Sequence, residues 1–195
     1  MQDEKKKLRT FLRSRRRGLS PAEVTEKSRR ITERLRAFTQ FQQAQTLVLY
    51  SADENEVQTE TIWQEASARG KAGYYPRITA DRANLEFVRR RPGDRLVPGV
   101  FGILIPPRED LLSQLQETDI ILTPGVGFDR QGHRLGRGKG YYDRAFHGVL
   151  SGGLRVALAY EFQVVSEIPF GPDDETVDYI MTETGLMDCP TRNLL

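Results

Sequence analysis

Asp119-Ile-Ile-Leu122-Thr123-Pro124-Gly125 joins a short apolar run to an abrupt proline–glycine break. A run of this length bounded by turn residues reads as a buried strand that ends in a loop. Reading outward from it, Thr46 to Tyr50, Ala72 to Tyr75, Leu85 to Val88, Arg155 to Tyr160 and Val177 to Thr182 give further strands. Gln58 to Arg69, closed by Gly70, reads as a helix between two of them, and Leu111 to Glu117 as a short helix. Short β-branched runs alternating with helices imply a mainly parallel sheet covered on both faces. In such sheets ligands sit outside the carboxyl ends of the strands, which directs attention to the loop after Leu122.

Two helices open the chain. The first is expected from Asp3 to Arg17, with Leu8, Phe11 and Leu12 as a thin apolar stripe and Gly18 as its terminator. The second starts at Ser20-Pro21-Ala22-Glu23, where serine caps, proline takes the first helical position and glutamate completes a capping box. Val24, Ser28, Ile31, Leu35 and Phe38 then recur on one helical face.

Bulk properties narrow the function. At 195 residues the chain builds one substantial core, so a single domain over 1–195 is expected. No apolar run approaches the ~20 residues that span a bilayer. Met1 to Arg17 is densely charged and lacks the apolar centre of a secretory signal. A single cysteine, Cys189, can form neither an internal disulfide nor a cysteine-based zinc cage, so a reducing, cytoplasmic setting is expected. Residues 1–36 hold thirteen Lys/Arg against five Asp/Glu, which leaves the remainder of the chain acidic. Such a segment suits an anionic small molecule or a nucleic acid, and a solvated helix face is the plainer alternative. No RNA-binding or helix-turn-helix motif accompanies it, which favours the small molecule.

The densest chemistry lies between Gly125 and Gly140, where six of sixteen residues are glycine. Without a Cβ, backbone N–H groups can turn inward and approach an anion closely. Arg134, Arg137 and Lys139 stand among those glycines, so donors and cations together read as a phosphate cradle, with a mobile surface turn as the plainer alternative. The spacing matches neither a P-loop nor the Gly-x-Gly-x-x-Gly dinucleotide fingerprint. Tyr141-Tyr142 follows, able to stack on a flat heterocycle or to enter the core. Asp143 beside a phosphate cradle could hold Mg²⁺ or could be an ordinary helix-start carboxylate.

Thr123-Pro-Gly-Val-Gly-Phe-Asp129 followed by Gly132-His-Arg-Leu-Gly-Arg-Gly-Lys-Gly-Tyr-Tyr-Asp143 resembles the signature of the 5-formyltetrahydrofolate cyclo-ligases, also called methenyltetrahydrofolate synthetases. The opening Lys5-Lys6-Lys7-Leu8-Arg9, the segment from Tyr50-Ser51 to Thr59, Pro76-Arg77 and the stretches Ala159-Tyr160 and Asp178 to Glu183 fall in that family's order. The resemblance implies a three-layer α/β/α sandwich, Rossmann-like, with two N-terminal helices. It implies ATP- and Mg²⁺-dependent conversion of 5-formyltetrahydrofolate, with or without a polyglutamate tail, to 5,10-methenyltetrahydrofolate, ADP and phosphate. It implies ATP contacts at Lys5, Lys6, Lys7, Leu8 and Arg9 and at Arg134, Leu135, Gly136, Arg137, Gly138, Lys139, Gly140, Tyr141 and Tyr142.

Folate contacts map by the same resemblance to Asp53, Glu56 and Gln58 and to Arg137 through Tyr141, and Mg²⁺ ligands to Asp143 and Asp178. Arg134, Arg137 and Lys139 are the expected stabilisers of the transferring phosphoryl group. Family members commonly carry an acidic side chain where Gln58 stands, and Asp173-Asp174 receives no assigned duty. His133 is read as a bystander. A monomer without nucleic-acid or membrane partners is expected. The competing reading is another ATP- and Mg²⁺-dependent kinase or ligase of related fold acting on a different acceptor.

Overall fold

The computed structural model describes residues 1–190. Along the chain the elements are α1 (Gln2–Arg17), α2 (Pro21–Ala37), α3 (Thr39–Gln43), β1 (Thr46–Val48), α4 (Glu60–Ala68), β2 (Ala72–Ile78) and β3 (Leu85–Arg90). They continue as β4 (Val97–Pro98), β5 (Leu104–Ile105), β6 (Ile120–Thr123), β7 (Gly127–Asp129), β8 (Arg134–Leu135), α5 (Tyr141–His147), β9 (Leu154–Leu158), β10 (Val164–Val165), β11 (Tyr179–Met181) and β12 (Leu186–Asp188).

Seven strands form the central sheet in the order β12-β11-β9-β6-β1-β2-β3. The five inner strands run parallel, and β3 and β12 close the edges antiparallel. Period-two alternation distributes their side chains between two faces. Leu47, Leu49, Ile120, Leu122, Val156 and Leu158 pack beneath Ile31 and Leu35 of α2, Phe41 of α3, and Ile62 and Trp63 of α4. Val48 and Ile121 face the other way, against Ala145 and Phe146 of α5. Ala157 and Ala159 share that second side with Phe128 of a small three-stranded sheet, β10-β7-β8. The α/β sandwich is thus built as the alternating pattern demands, with part of one outer layer supplied by strands.

The second helix forms as its sequence dictates. Glu23 donates its backbone N–H to Ser20 Oγ at 3.3 Å, and the Ser20 N–H donates to the Glu23 carboxylate at 2.8 Å. Val24, Ser28, Ile31, Leu35 and Phe38 are all buried. Full burial of each such Ile or Leu contributes about 1.5–3 kcal/mol.

Two local expectations are corrected. Gly18 ends α1 at φ −74°, so the helix stops without the left-handed turn that favours glycine. Leu111 to Glu117 is not helical: Leu111 bridges Val88 and the Leu112 N–H donates to Phe87 O, which ties the segment to the β3 edge in extended form. Pairing with an open strand edge satisfies backbone groups that an isolated turn of helix would leave free. Tyr141-Tyr142 opens helix α5, and α3, β7, β8, β10 and β12 are additional elements too short to carry a periodicity.

Topology directs the site. The chain leaves β1 toward β2 on one side, and leaves β6 toward β9 on the other. The crevice between the carboxyl ends of β1 and β6 is therefore the switch point of the sheet. Helix α1 lies across it, held by the turn that follows β1. Glu54 of that turn accepts from Arg13 Nη2 at 2.7 Å and also pairs with Arg17. Glu54 and Asn55 both adopt positive φ, and Asn55 Nδ2 donates to the carbonyls of Arg16 and Leu19.

Burial raises the Glu54 carboxyl, but Arg13 and Arg17 outweigh it and bring the pKa to about 2, against an ordinary 4.5. A carboxyl depressed on folding stabilises the protein above its unfolded pKa, and that contribution disappears as pH falls through the folded value. Glu54→Gln should accordingly cost about 1.5–3 kcal/mol near pH 7. The difference from the parent should shrink between about pH 4.5 and pH 2, read from urea unfolding at each pH.

Candidate active site

A cavity of about 440 Å³ opens at the switch point. One wall is Tyr50, Ser51, Asp53 and Glu56 after β1, and a second is Pro124 and Gly125 after β6. Residues Arg134 to Asp143 curve around it, and α1 crosses above with Gln2, Lys5 and Arg9. The β2–β3 hairpin adds Pro76, Ile78 and Leu85, and the short hairpin β4–β5 adds Phe101 and Ile103. The result is a slot with an apolar end and a strongly cationic end.

The cationic end is built from a loop that only glycine can follow. Gly138 and Gly140 sit at φ +92° and +65°. A Cβ at Gly136 would stand 2.8 Å from Arg134 Nη1. Gly140 caps α5 without any side-chain hydrogen bond, so the first turn of that helix keeps its backbone donors uncapped. Arg9 Nε donates to Gly136 O at 2.9 Å and pins the loop to α1.

Three cations of the slot are matched to carboxylates of the protein. Buried Arg134 donates to Asp143 Oδ1 at 2.7 Å and lies over the rings of Tyr142 and Phe146. Arg137 donates to Asp53 Oδ2 at 2.8 Å and to Glu56 Oε1 at 3.0 Å. Lys5 pairs with Asp174. Lys139 is exposed, and its ammonium stands 6.0 Å from the centre of the Phe101 ring.

Glu56 is the buried acid of the slot. Its burial holds the carboxyl above its usual range, and Arg137 and Arg16 offset only part of that rise. Burial likewise raises the Tyr142 phenol, whose hydroxyl is buried and, among the described residues, without a hydrogen-bond partner. The Tyr141 hydroxyl, in contrast, donates to Arg82 O at 2.9 Å.

Of the residues singled out from sequence, Lys5, Arg9, Asp53, Glu56 and Arg134 through Asp143 line this slot together. Lys6, Lys7, Leu8, Gln58 and Asp178 do not. Helical geometry explains the first three: positions 5 and 9 share a face, 6 and 7 point to solvent, and Leu8 packs toward Leu12. Gln58 is exposed, and its backbone N–H donates to Ser28 Oγ at 3.0 Å. Asp178 accepts the Arg155 N–H at 2.7 Å between β9 and β11, away from the slot. His133 stacks on Phe170 and faces Asp129 Oδ2 at 2.9 Å, also outside the lining.

Sequence reasoning assigned no site role to Asp174 or Phe101. Asp174 reaches the slot only through the long return of the chain after β10. Phe101 gave one usable signal, a lone aromatic between Gly99 and Gly102 in a loop-rich stretch.

Residues 1–183 match the model of the 5-formyltetrahydrofolate cyclo-ligase family. A mouse protein named 5-formyltetrahydrofolate cyclo-ligase is 32% identical over 92% of this chain and 93% of its own length. Its Escherichia coli K12 counterpart is 29% identical over 88% of this chain and 96% of its own. The NMR structure of Aquifex aeolicus 5,10-methenyltetrahydrofolate synthetase superposes with a TM-score of 0.81 at 30% identity, covering 98% of this chain and 95% of the other. Among the described residues no helix is long and apolar enough to cross a membrane.

Gly138→Ala tests the loop. A Cβ at φ +92° strains the backbone by about 1–2 kcal/mol. Because the loop is exposed, that strain should appear as an approximately five- to thirtyfold loss of nucleoside triphosphate affinity by calorimetry. The melting temperature should change little.

Proposed function

The chain belongs to the 5-formyltetrahydrofolate cyclo-ligase family, and we propose that it converts 5-formyltetrahydrofolate and ATP into 5,10-methenyltetrahydrofolate, ADP and phosphate. The single observation that supports this most is one slot that gathers a glycine-rich cationic loop, the carboxylates of Asp53 and Glu56, and an apolar lining from Pro76, Ile78 and Leu85. The setting is cytoplasmic and the working unit a monomer.

The N5-formyl group is an amide, so its carbon is a weak electrophile and its oxygen cannot leave as oxide. In this reading the formyl oxygen attacks the γ-phosphorus of ATP, and ADP departs. The oxygen now belongs to a phosphate. N10 of the same folate attacks the formyl carbon, inorganic phosphate leaves, and loss of the N10 proton completes the ring. No protein nucleophile enters; the protein positions the two reactants and neutralises charge.

The residues divide that work by their place in the slot. Arg134, Arg137 and Lys139, with the loop amides, stabilise charge on the transferring phosphoryl group. Lys5 and Arg9 of α1 hold the nucleotide from above. Asp53 and Glu56 accept hydrogen bonds from the pterin edge, and Pro76, Ile78 and Leu85 supply its apolar bed. Between the tyrosines, Tyr142 is better placed to bond a ligand, since the Tyr141 hydroxyl is already committed.

Asp143 is the residue suited to Mg²⁺. It lines the slot, and among the described residues its Oδ2 accepts no hydrogen bond. The described residues contain no group of three His, Cys, Asp or Glu able to cage a metal. That donor set fits an ion which takes one or two carboxylates and completes its shell with phosphate oxygens and water. When bound, Mg²⁺ supplies Lewis-acid charge at the phosphates. Asp178, turned toward Arg155, is not included in this assignment.

The deciding experiment follows methenyltetrahydrofolate by its absorbance with purified protein and Mg²⁺, with and without ATP. Product should form only with ATP. ATP hydrolysis with no folate product would favour a different acceptor. Lys139→Ala should lower kcat/KM by an amount equivalent to about 2.7–4 kcal/mol, and an unchanged value removes Lys139 from the scheme. Asp143→Ala should raise the Mg²⁺ concentration for half-maximal rate, and an identical titration removes Asp143.

A further inference from the structure

Arg16 is the buried guanidinium of α1, and the reaction scheme leaves it unused. It is 1% exposed and lies directly behind the slot. Nε donates to Glu54 O at 3.0 Å and Nη1 donates to Gly125 O at 3.0 Å, so it ties the turn after β1 to the loop after β6. Nη2 is different. It stands 3.7 Å from Glu54 and 3.5 Å from Glu56, and among the described residues it makes no hydrogen bond. A buried charged donor that has ion-pair neighbours but no hydrogen bond is rare and calls for a reason.

The reason lies across the carboxylate. Glu56 Oε1 is taken by Arg137, the exposed arm of the glycine loop, at 3.0 Å, while the Asp53 N–H donates to Oε2 at 3.2 Å. If Arg137 serves the phosphoryl group, it must let go of Glu56 and Asp53 when nucleotide arrives. A buried carboxylate abandoned by its only hydrogen-bonded cation would take up a proton or turn away. The spare Nη2 donor of Arg16 already faces the same oxygen, and a small rotation closes the gap.

We propose that Arg16 is a positioning residue whose free Nη2 donor takes hold of the Glu56 carboxylate when Arg137 turns to the nucleotide, keeping that carboxylate aimed at the folate. This deepens the function proposed above and rests on it for the role of Glu56. Arg16 is fixed by its two carbonyl tethers, so it cannot follow the nucleotide itself. One guanidinium is thus permanent and the other is shared between two ligands in turn.

Other groups facing Glu56 do not replace Arg16. Asp53 and Glu54 in its own turn are acidic. Tyr50 after β1, Tyr142 of α5 and Tyr160 after β9 are neutral phenols whose pKa values rise partly because Glu56 is near. With Arg137 on the nucleotide, removing Arg16 leaves Glu56 without a cation and moves its carboxyl upward, and a function that needs it ionised fails at a higher pH than before.

The test uses the full chain and two readouts. The Glu56 carboxyl is titrated by carbon-13 NMR, assigned by its loss in Glu56→Gln, and steady-state kinetics are measured across pH. In Arg16→Met the Glu56 titration should rise by about one unit or more. KM for 5-formyltetrahydrofolate should rise tenfold or more while KM for ATP stays within about twofold. Arg16→Lys should restore the titration, because the charge returns, but only part of the folate KM, because the forked tether does not.

A folded Arg16→Met with unmoved titration and unmoved folate KM, differing only in melting temperature, would overturn the proposal. Should that variant not fold, Arg137→Ala decides, since its side chain is exposed. With Arg16 in reserve, its Glu56 titration should stay within about half a unit of wild type in the presence of a non-hydrolysable ATP analogue. A rise of a full unit overturns the proposal. The NMR readout needs no turnover, so absence of ATP-dependent product in wild type would refute the proposed reaction while leaving the Arg16 result to be read separately.

Discussion

Concentrating cations in a small slot is the constraint that shapes this molecule. Arg134, Arg137 and Lys5 come within reach of one another around a cavity of about 440 Å³, and unopposed they would repel. Each is instead matched to a carboxylate of the protein: Asp143, the Asp53–Glu56 pair, and Asp174. The matches come from different elements, so the slot is also where α1, the turn after β1, the glycine loop and the segment after β10 are bound together. A phosphate-bearing ligand that enters must exchange protein carboxylates for its own oxygens, and the exchange links nucleotide binding to the arrangement of the other end.

That linkage gives α1 a role beyond covering the sheet. The helix carries Lys5 and Arg9 to the slot, and Leu12 into the cluster with Val126, Leu135 and Ile168 under the small sheet. It also sends Arg13, Arg16 and Arg17 to the positive-φ turn at Glu54-Asn55. Part of the basic excess of the first 36 residues is therefore spent inside the fold, at Lys5, Arg13 and Arg16, and not offered to solvent. This weakens the nucleic-acid reading on physical grounds, since a charge already paired in the protein releases little when it meets a phosphate backbone.

The apolar half of the slot has a simpler origin. The antiparallel β2–β3 hairpin extends the sheet past its parallel centre and supplies Pro76, Ile78 and Leu85. Phe101 reaches the cavity from the β4–β5 hairpin in a left-handed conformation, φ 58°, and its ring is two-thirds exposed. An aromatic held in that way over a slot is a surface for a flat ligand, whereas one meant only for packing would be covered.

Sequence by itself determined what is local. The capping box at Ser20–Glu23, the face of α2, the buried strands and the contiguous run from Arg134 to Asp143 are all legible because their physics is confined to neighbours along the chain. The family signature belongs to the same class, and with it the reaction. Tertiary structure alone decided the partners across the slot. Arg137 meets Glu56 across 81 positions, and Lys5 meets Asp174 across 169. It also separated Lys5 and Arg9 from Lys6 and Lys7, and turned Gln58 and Asp178 away from the slot. Such pairings depend on which strand ends the topology brings together and which face of a helix looks inward. A charged side chain in a sequence carries no mark of the partner that will neutralise it.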